Sequence, residues 1–168
     1  MKHQLAICAA VVALAGCAGN NPQTREEFVK TRTAGVPFNM MDTHVANRRF
    51  EDVVGSLREK AKECLNVDVT MKRTQGGITA MNATDEYRTN IRVVGPNRAE
   101  LTTQFEMSKG QIALQKRPEG GFYERAVDIE RASARTTKLT YYGSSREPGK
   151  KVWAALKAWS DGNAAGCP

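Results

Sequence analysis

The chain has no hydrophobic run long enough to cross a bilayer. A membrane-spanning helix needs about 20 apolar residues, and the apolar stretch from Leu5 to Leu14 falls well short of that. Histidine is nearly missing: His3 and His44 are the only two. A multi-histidine metal site, or a Ser-His-Asp or Cys-His centre, has almost no material to draw on. Among the four cysteines, Cys8, Cys17, Cys64 and Cys167, no pair has C-x-x-C spacing. The glycine pairs Gly76-Gly77 and Gly120-Gly121 match no phosphate-binding fingerprint and read as loops. Asp and Glu are scattered, with no two singled out as a hydrolytic pair. A dense basic run is also lacking. The 25 Lys and Arg outnumber 18 Asp and Glu, for a net charge of +7, but they are spread out, among them Arg88, Arg98, Lys116, Arg131 and Lys151. Such spacing favours a solvated surface, with acidic partners as the other reading; nucleic acid is not expected as a partner once the N-terminus is read as an export signal.

What is present begins at the N-terminus. A charged start, Met1-Lys2-His3, is followed by the short apolar run and the small pair Ala15-Gly16, the layout of a signal peptide. At its end, Leu14-Ala15-Gly16-Cys17 resembles the lipobox of bacterial lipoproteins. The resemblance implies that the Cys17 thiol is alkylated with diacylglycerol, that the chain is cut just before it, and that Cys17 becomes the acylated first residue. In that family Asp after the cysteine favours the inner membrane; Ala18 here implies the outer membrane, facing the periplasm. Two or more acyl chains anchor a protein stably, whereas one holds it marginally. The alternatives are an ordinary signal peptide cut ahead of Cys17, or an uncleaved hydrophobic N-terminus. The expected division is a lipoprotein signal peptide over 1–16, a flexible tether over 17–38 and a single α+β domain over 39–168.

Removing the leader takes His3 and Cys8 with it, so His44 is the one mature histidine, and with Cys17 acylated the remaining thiols are Cys64 and Cys167. An even pair in an oxidising compartment points to a disulfide. A metal or redox site from two free thiols would lack histidine neighbours.

Hydropathy then sets the elements. Residues 18–37 are mostly polar, with Phe28 and Val29 as the apolar interruption and at most a helical turn around Arg25 to Lys30. Met40 to Val45 reads as a short strand. Phe50, Val53, Val54, Leu57, Ala61 and Cys64 give the i, i+3, i+4, i+7 stripe of a helix over Asn47 to Leu65, with Asn47 as N-cap. From Val67 the period drops to two: Val67, Val69 and Met71; Tyr87, Thr89, Ile91 and Val93; Leu101, Thr103, Phe105 and Met107; Ile112 and Leu114; Tyr123, Val127 and Ile129; Leu139 and Tyr141. Gly95-Pro96-Asn97 and Ser108-Lys109-Gly110 mark turns. A last helix carries Val152, Trp153, Leu156 and Trp159, with Ser144 and Glu147 in capping-box relation, Pro148 in its first turn and Gly162 as its stop. The expected fold is α+β: an antiparallel meander of about five or six strands with two helices packed on one face. This order of elements is similar to the helix-grip arrangement of the C subunit of the outer-membrane β-barrel assembly machine and of lipid-cavity domains.

Function is expected to lie in binding, not catalysis, with no cofactor and no metal. Trp153, Trp159 and Tyr141 read as core, whereas Tyr142, on the other strand face, and Arg146 are candidate binding residues. The first reading is an outer-membrane lipoprotein that binds or scaffolds an envelope protein. The alternative is a carrier of a lipid or other amphiphile in a cavity between sheet and C-terminal helix, which a continuous apolar cavity would favour. An enzyme would have to use Asp42 and His44, which share a strand face.

Overall fold

The computed structural model describes residues 21–75, 78–107, 117–164 and 166–168, with side chains throughout except at 71–83 and 107. The expected signal peptide and Cys17, the Gly76-Gly77 loop, and the Ser108-Lys109-Gly110 turn with Ile112 and Leu114 lie outside the described residues. The elements are α1 (Arg25–Thr33), β1 (Asn39–Ala46), α2 (Phe50–Cys64), β2 (Asp68–Gln75), β3 (Ile78–Gly95), β4 (Arg98–Met107), β5 (Phe122–Arg131), β6 (Thr137–Ser144) and α3 (Glu147–Ser160). The protein is α+β: the six strands form one open antiparallel sheet in the order β1-β6-β5-β4-β3-β2.

Period-two alternation sends Ile91, Ala99, Leu101, Val127, Ile129, Leu139 and Tyr141 to one face, where the apolar stripes of α2 and α3 cover them. Both expected helices thus pack on one face, and they also pack on each other. Tyr141 stacks on Trp153 with ring centroids 5.1 Å apart. The end of α3 is held from the β1–α2 connection: Arg48 Nη1 donates to the carbonyls of Trp159 and Ser160, a cation at a helix C-terminus. Asn47 is not the N-cap of α2; Arg49 is, without a side-chain cap.

The opposite face holds what the sequence reading missed. Residues 25–33 are not part of a free tether: they form α1, which lies across β1, β5 and β6. Phe28 is buried against Ala126 and Tyr142, with Val29 and Tyr123 around it. Tyr142 is therefore a buried residue beneath α1, not an exposed aromatic. Arg25 anchors the start of the helix with Nη2 2.9 Å from Asp128 and Nη1 3.7 Å from Glu100, all three side chains largely buried. Thr24 Oγ1 accepts from the Glu27 N–H and the Glu27 carboxylate accepts from the Gln23 N–H, which together cap the helix.

Two more expectations change. Val67 and Val69 stay exposed, because β2 is an edge strand and α2 packs over β3 and β5. Tyr123 does not share a face with Val127: a bulge between the Thr103↔Arg125 and Gln104↔Tyr123 pairs adds one residue to β5 and turns Tyr123 to the α1 side.

Candidate anion-binding cleft

β1 starts opposite the end of β6, with Asn39 paired to Ser144. At this end of the sheet the C-terminus of α1 meets the N-terminus of α3, and between them lies an open cleft of about 370 Å³ bordered by Arg32, Phe38, Asn39, Glu124, Arg146 and Gly149. Asn39 fastens one wall, its side chain donating to the Thr31 carbonyl and accepting from Arg32 Nη1.

Phe38 has φ +67°, the left-handed region that bulky side chains rarely adopt, and the residue is 59% exposed. Both features cost free energy, and such outliers concentrate at functional sites. The backbone is held there by the Ser145 N–H donating to the Phe38 carbonyl at 2.8 Å. One face of the ring is taken by the Arg146 guanidinium, 4.5 Å from the centroid.

Arg32 crosses from α1 into the cleft, its guanidinium 4.7 Å from the Phe28 ring centroid. Burial pushes its pKa down, while Glu124 acts in the opposite direction. Its buried Nε has no hydrogen-bond partner among the described residues. Behind Glu124 sits Arg125, 7% exposed, with its guanidinium 3.7 Å from the Glu124 carboxylate. The neighbouring Tyr141 hydroxyl is raised in pKa by burial, and Arg125 opposes that rise. Arg32 and Arg146 thus line the cleft with one glutamate, Glu124, which Arg125 pairs from behind, beside the positive end of the α3 dipole.

Close packing shapes the floor. A Cβ on Gly149 would lie 2.2 Å from the Ser144 carbonyl oxygen, so only glycine fits there. The capping box expected at Ser144 and Glu147 does not form: Arg146 is the N-cap, without a side-chain bond of its own, and Ser144 Oγ accepts from the Arg146 N–H. Pro148 does occupy the first turn of α3.

Of the two candidate binding residues, Arg146 lines the cleft and Tyr142 does not. Asp42 and His44 are each engaged with α3. The Trp153 indole donates to Asp42 at 2.7 Å, which, with burial opposing, holds the carboxyl below its usual pKa. His44 Nε2 lies 2.9 Å from the Asp161 carboxylate. The sulfurs of Cys64 and Cys167 are at bonding distance, with Cα atoms 5.1 Å apart, linking the end of α2 to the C-terminal tail. Arg32, Arg125 and Phe38 escaped the sequence reading; the signal for Arg32 was the Thr24-x-x-Glu27 spacing, which marks a helix running into it.

No family model and no curated protein matches the chain. Among solved structures, a hypothetical protein of Helicobacter pylori aligns over 79% of this chain and 90% of its own, at 12% identity and a TM-score of 0.41. DynU16, from the dynemicin biosynthetic locus, aligns over 75% and 44% at 15% identity and 0.31. A protein of Rhizobium leguminosarum aligns over 74% and 97% at 9% identity and 0.30. At these scores the likenesses carry no argument about function.

Proposed function

We propose that the chain is a non-enzymatic binding module of the bacterial envelope, anchored in the outer membrane through lipid on Cys17, facing the periplasm, and engaging an envelope partner at the cleft. The observation that carries the binding role is Phe38: an exposed ring held in a left-handed backbone conformation, beside Arg32 and Arg146. A surface that maintains such costs is shaped for contact. The core supports binding over carriage. Leu101, Val127, Ile129, Leu139, Tyr141 and Leu156 have no accessible surface, so no water-sized space adjoins them, and an amphiphile cavity would need one there.

The docking of α1 sets how far the module stands from its anchor. From Cys17 to Thr24 the chain ahead of α1 has eight residues, which span at most ~28 Å when fully extended. A tether running to residue 38 would reach about 75 Å. The proposal therefore places the cleft near the bilayer surface.

A photo-crosslinking amino acid at position 38, compared in intact cells with one at the distant exposed Val93, tests the reading. Capture of a defined envelope component from position 38 but not from 93 is expected. Capture from neither position, or equally from both, would remove the cleft as the binding surface.

A further inference from the structure

We infer that the cleft holds an organic carboxylate, gripped by the guanidinium groups of Arg32 and Arg146, with the apolar body of the ligand against the Phe38 ring. The inference rests on the reading of the protein as a binding module and names the ligand chemistry of its site.

The sign of the ligand follows from the charges: Arg32 and Arg146 line the cleft, Arg125 lies behind it, and Glu124 is the one acid among the lining side chains. The choice between carboxylate and phosphate follows from the α3 terminus. A phosphate site at a helix start is built from free backbone N–H groups. Here Pro148 has none, the Lys150 N–H is given to the Arg146 carbonyl, the Arg146 N–H to Ser144 Oγ and the Ser145 N–H to the Phe38 carbonyl. Glu147 adds a carboxylate in that first turn, which would repel a dianion more than a monoanion. The charged donors that line the cleft are Arg32 and Arg146, and the planar fork of an arginine matches the two oxygens of a carboxylate. The apolar part of the ligand follows from Phe38, which carries Arg146 over one ring face and is still more than half exposed as a residue. A volume of about 370 Å³ lies at the small end of ligand sites and suits an aromatic or short aliphatic acid, free or ending a longer chain.

The test is a titration of the full chain, purified from membranes in detergent, with sodium benzoate, sodium acetate and inorganic phosphate at matched ionic strength, followed through the backbone amide resonances. Benzoate should shift Phe38 and Gly149 saturably and bind more tightly than acetate, with phosphate weaker than benzoate. Arg146→Gln, at an exposed position that leaves the fold intact, should weaken benzoate about tenfold or more, as loss of a charge-assisted contact does; Arg32→Gln should do the same. Tighter binding of phosphate than of benzoate would overturn the carboxylate assignment. So would absence of saturable shifts, or unchanged benzoate affinity in Arg146→Gln. If benzoate fails while crosslinking from position 38 still captures a component, only the carboxylate assignment falls; if both fail, the binding reading falls with it.

Discussion

Replacing Phe28 by alanine should detach α1 without disturbing the rest of the domain. Phe28 is 1% exposed and fills the space between α1 and the Ala126–Tyr142 surface, with Tyr123 5.9 Å away ring to ring. Deleting a buried phenylalanine costs about 3–5 kcal/mol. Little remains to hold the helix afterwards. Its nine residues are fewer than the roughly 12–15 that an isolated helix needs, and the Arg25 ion pairs, opened to water once Phe28 no longer covers that face, are worth about 1 kcal/mol. The α2–α3 side of the sheet shares none of these contacts, because its cluster is built from the other set of strand positions. Hydrogen exchange measured residue by residue is the assay. Amides of residues 28–33 should exchange about 100-fold faster, the factor matching roughly 3 kcal/mol, and trypsin should cut at Arg25, Lys30 and Arg32, while protection in α2 and α3 stays close to that of the parent chain. Unchanged protection of α1 would refute the reasoning, as would equal loss of protection across the whole domain. The same variant lengthens the leash from residues 17–24 to residues 17–38, so it also tests whether a short leash matters for partner capture.

Asp42→Asn keeps an acceptor for the Trp153 indole but loses the charge, so stability at neutral pH should fall by about 1 kcal/mol. Because the folded pKa of Asp42 is depressed, its contribution is present above the unfolded value of about 3.9 and fades as pH falls through the lower folded value; acid titration of stability in the variant should be flatter below about pH 4, and an unchanged acid profile would count against the Trp153 bond. Closing the Cys64–Cys167 link across 103 residues should add about 2–4 kcal/mol, visible as a lowered denaturation midpoint in reductant or in Cys167→Ser; no change would mean that the pair is not bridged in the native protein. Gly149→Ala should cost more than about 2 kcal/mol, since its methyl would overlap the Ser144 carbonyl, and a neutral thermal scan would contradict the packing at the cleft floor.

The covered sheet face was legible because it follows one rule throughout. Leu101, Val127, Ile129, Leu139 and Tyr141 alternate with mostly polar neighbours, Ala126 and Tyr142 excepted, and the stripes of α2 and α3 recur at helical spacing. The other face breaks that rule. On α1 the positions that reach the sheet and the cleft are Arg25, Phe28 and Arg32, spaced i, i+3, i+7, so two of the three are charged, and the sheet answers Arg25 with Asp128 and Glu100 in place of apolar groups. Hydropathy scores such a helix as loop. The Thr24-x-x-Glu27 spacing was the available sign, and it forms a cap; the same spacing at Ser144 and Glu147 does not, because Arg146 is extended and its N–H takes the Ser144 hydroxyl one residue before the helix starts. Alternation correctly placed Tyr141 and Tyr142 on opposite faces, but it carries no information on whether the second face is covered. Arg146 was found as an isolated surface residue. Its partners Phe38 and Arg32 meet it through a left-handed backbone position and a helix terminus, neither of which leaves a hydrophobic pattern.

The central claim, a domain held close to the outer membrane by lipid on Cys17, is tested most directly by mass spectrometry of the N-terminal tryptic peptide of the protein recovered from cells. Cleavage after Arg25 should release a peptide that begins at Cys17 and carries the mass of a diacylglyceryl group on the thiol and a further acyl chain on the amine. A peptide that retains residues before Cys17, or one that begins at Cys17 or Ala18 without lipid, would contradict the account.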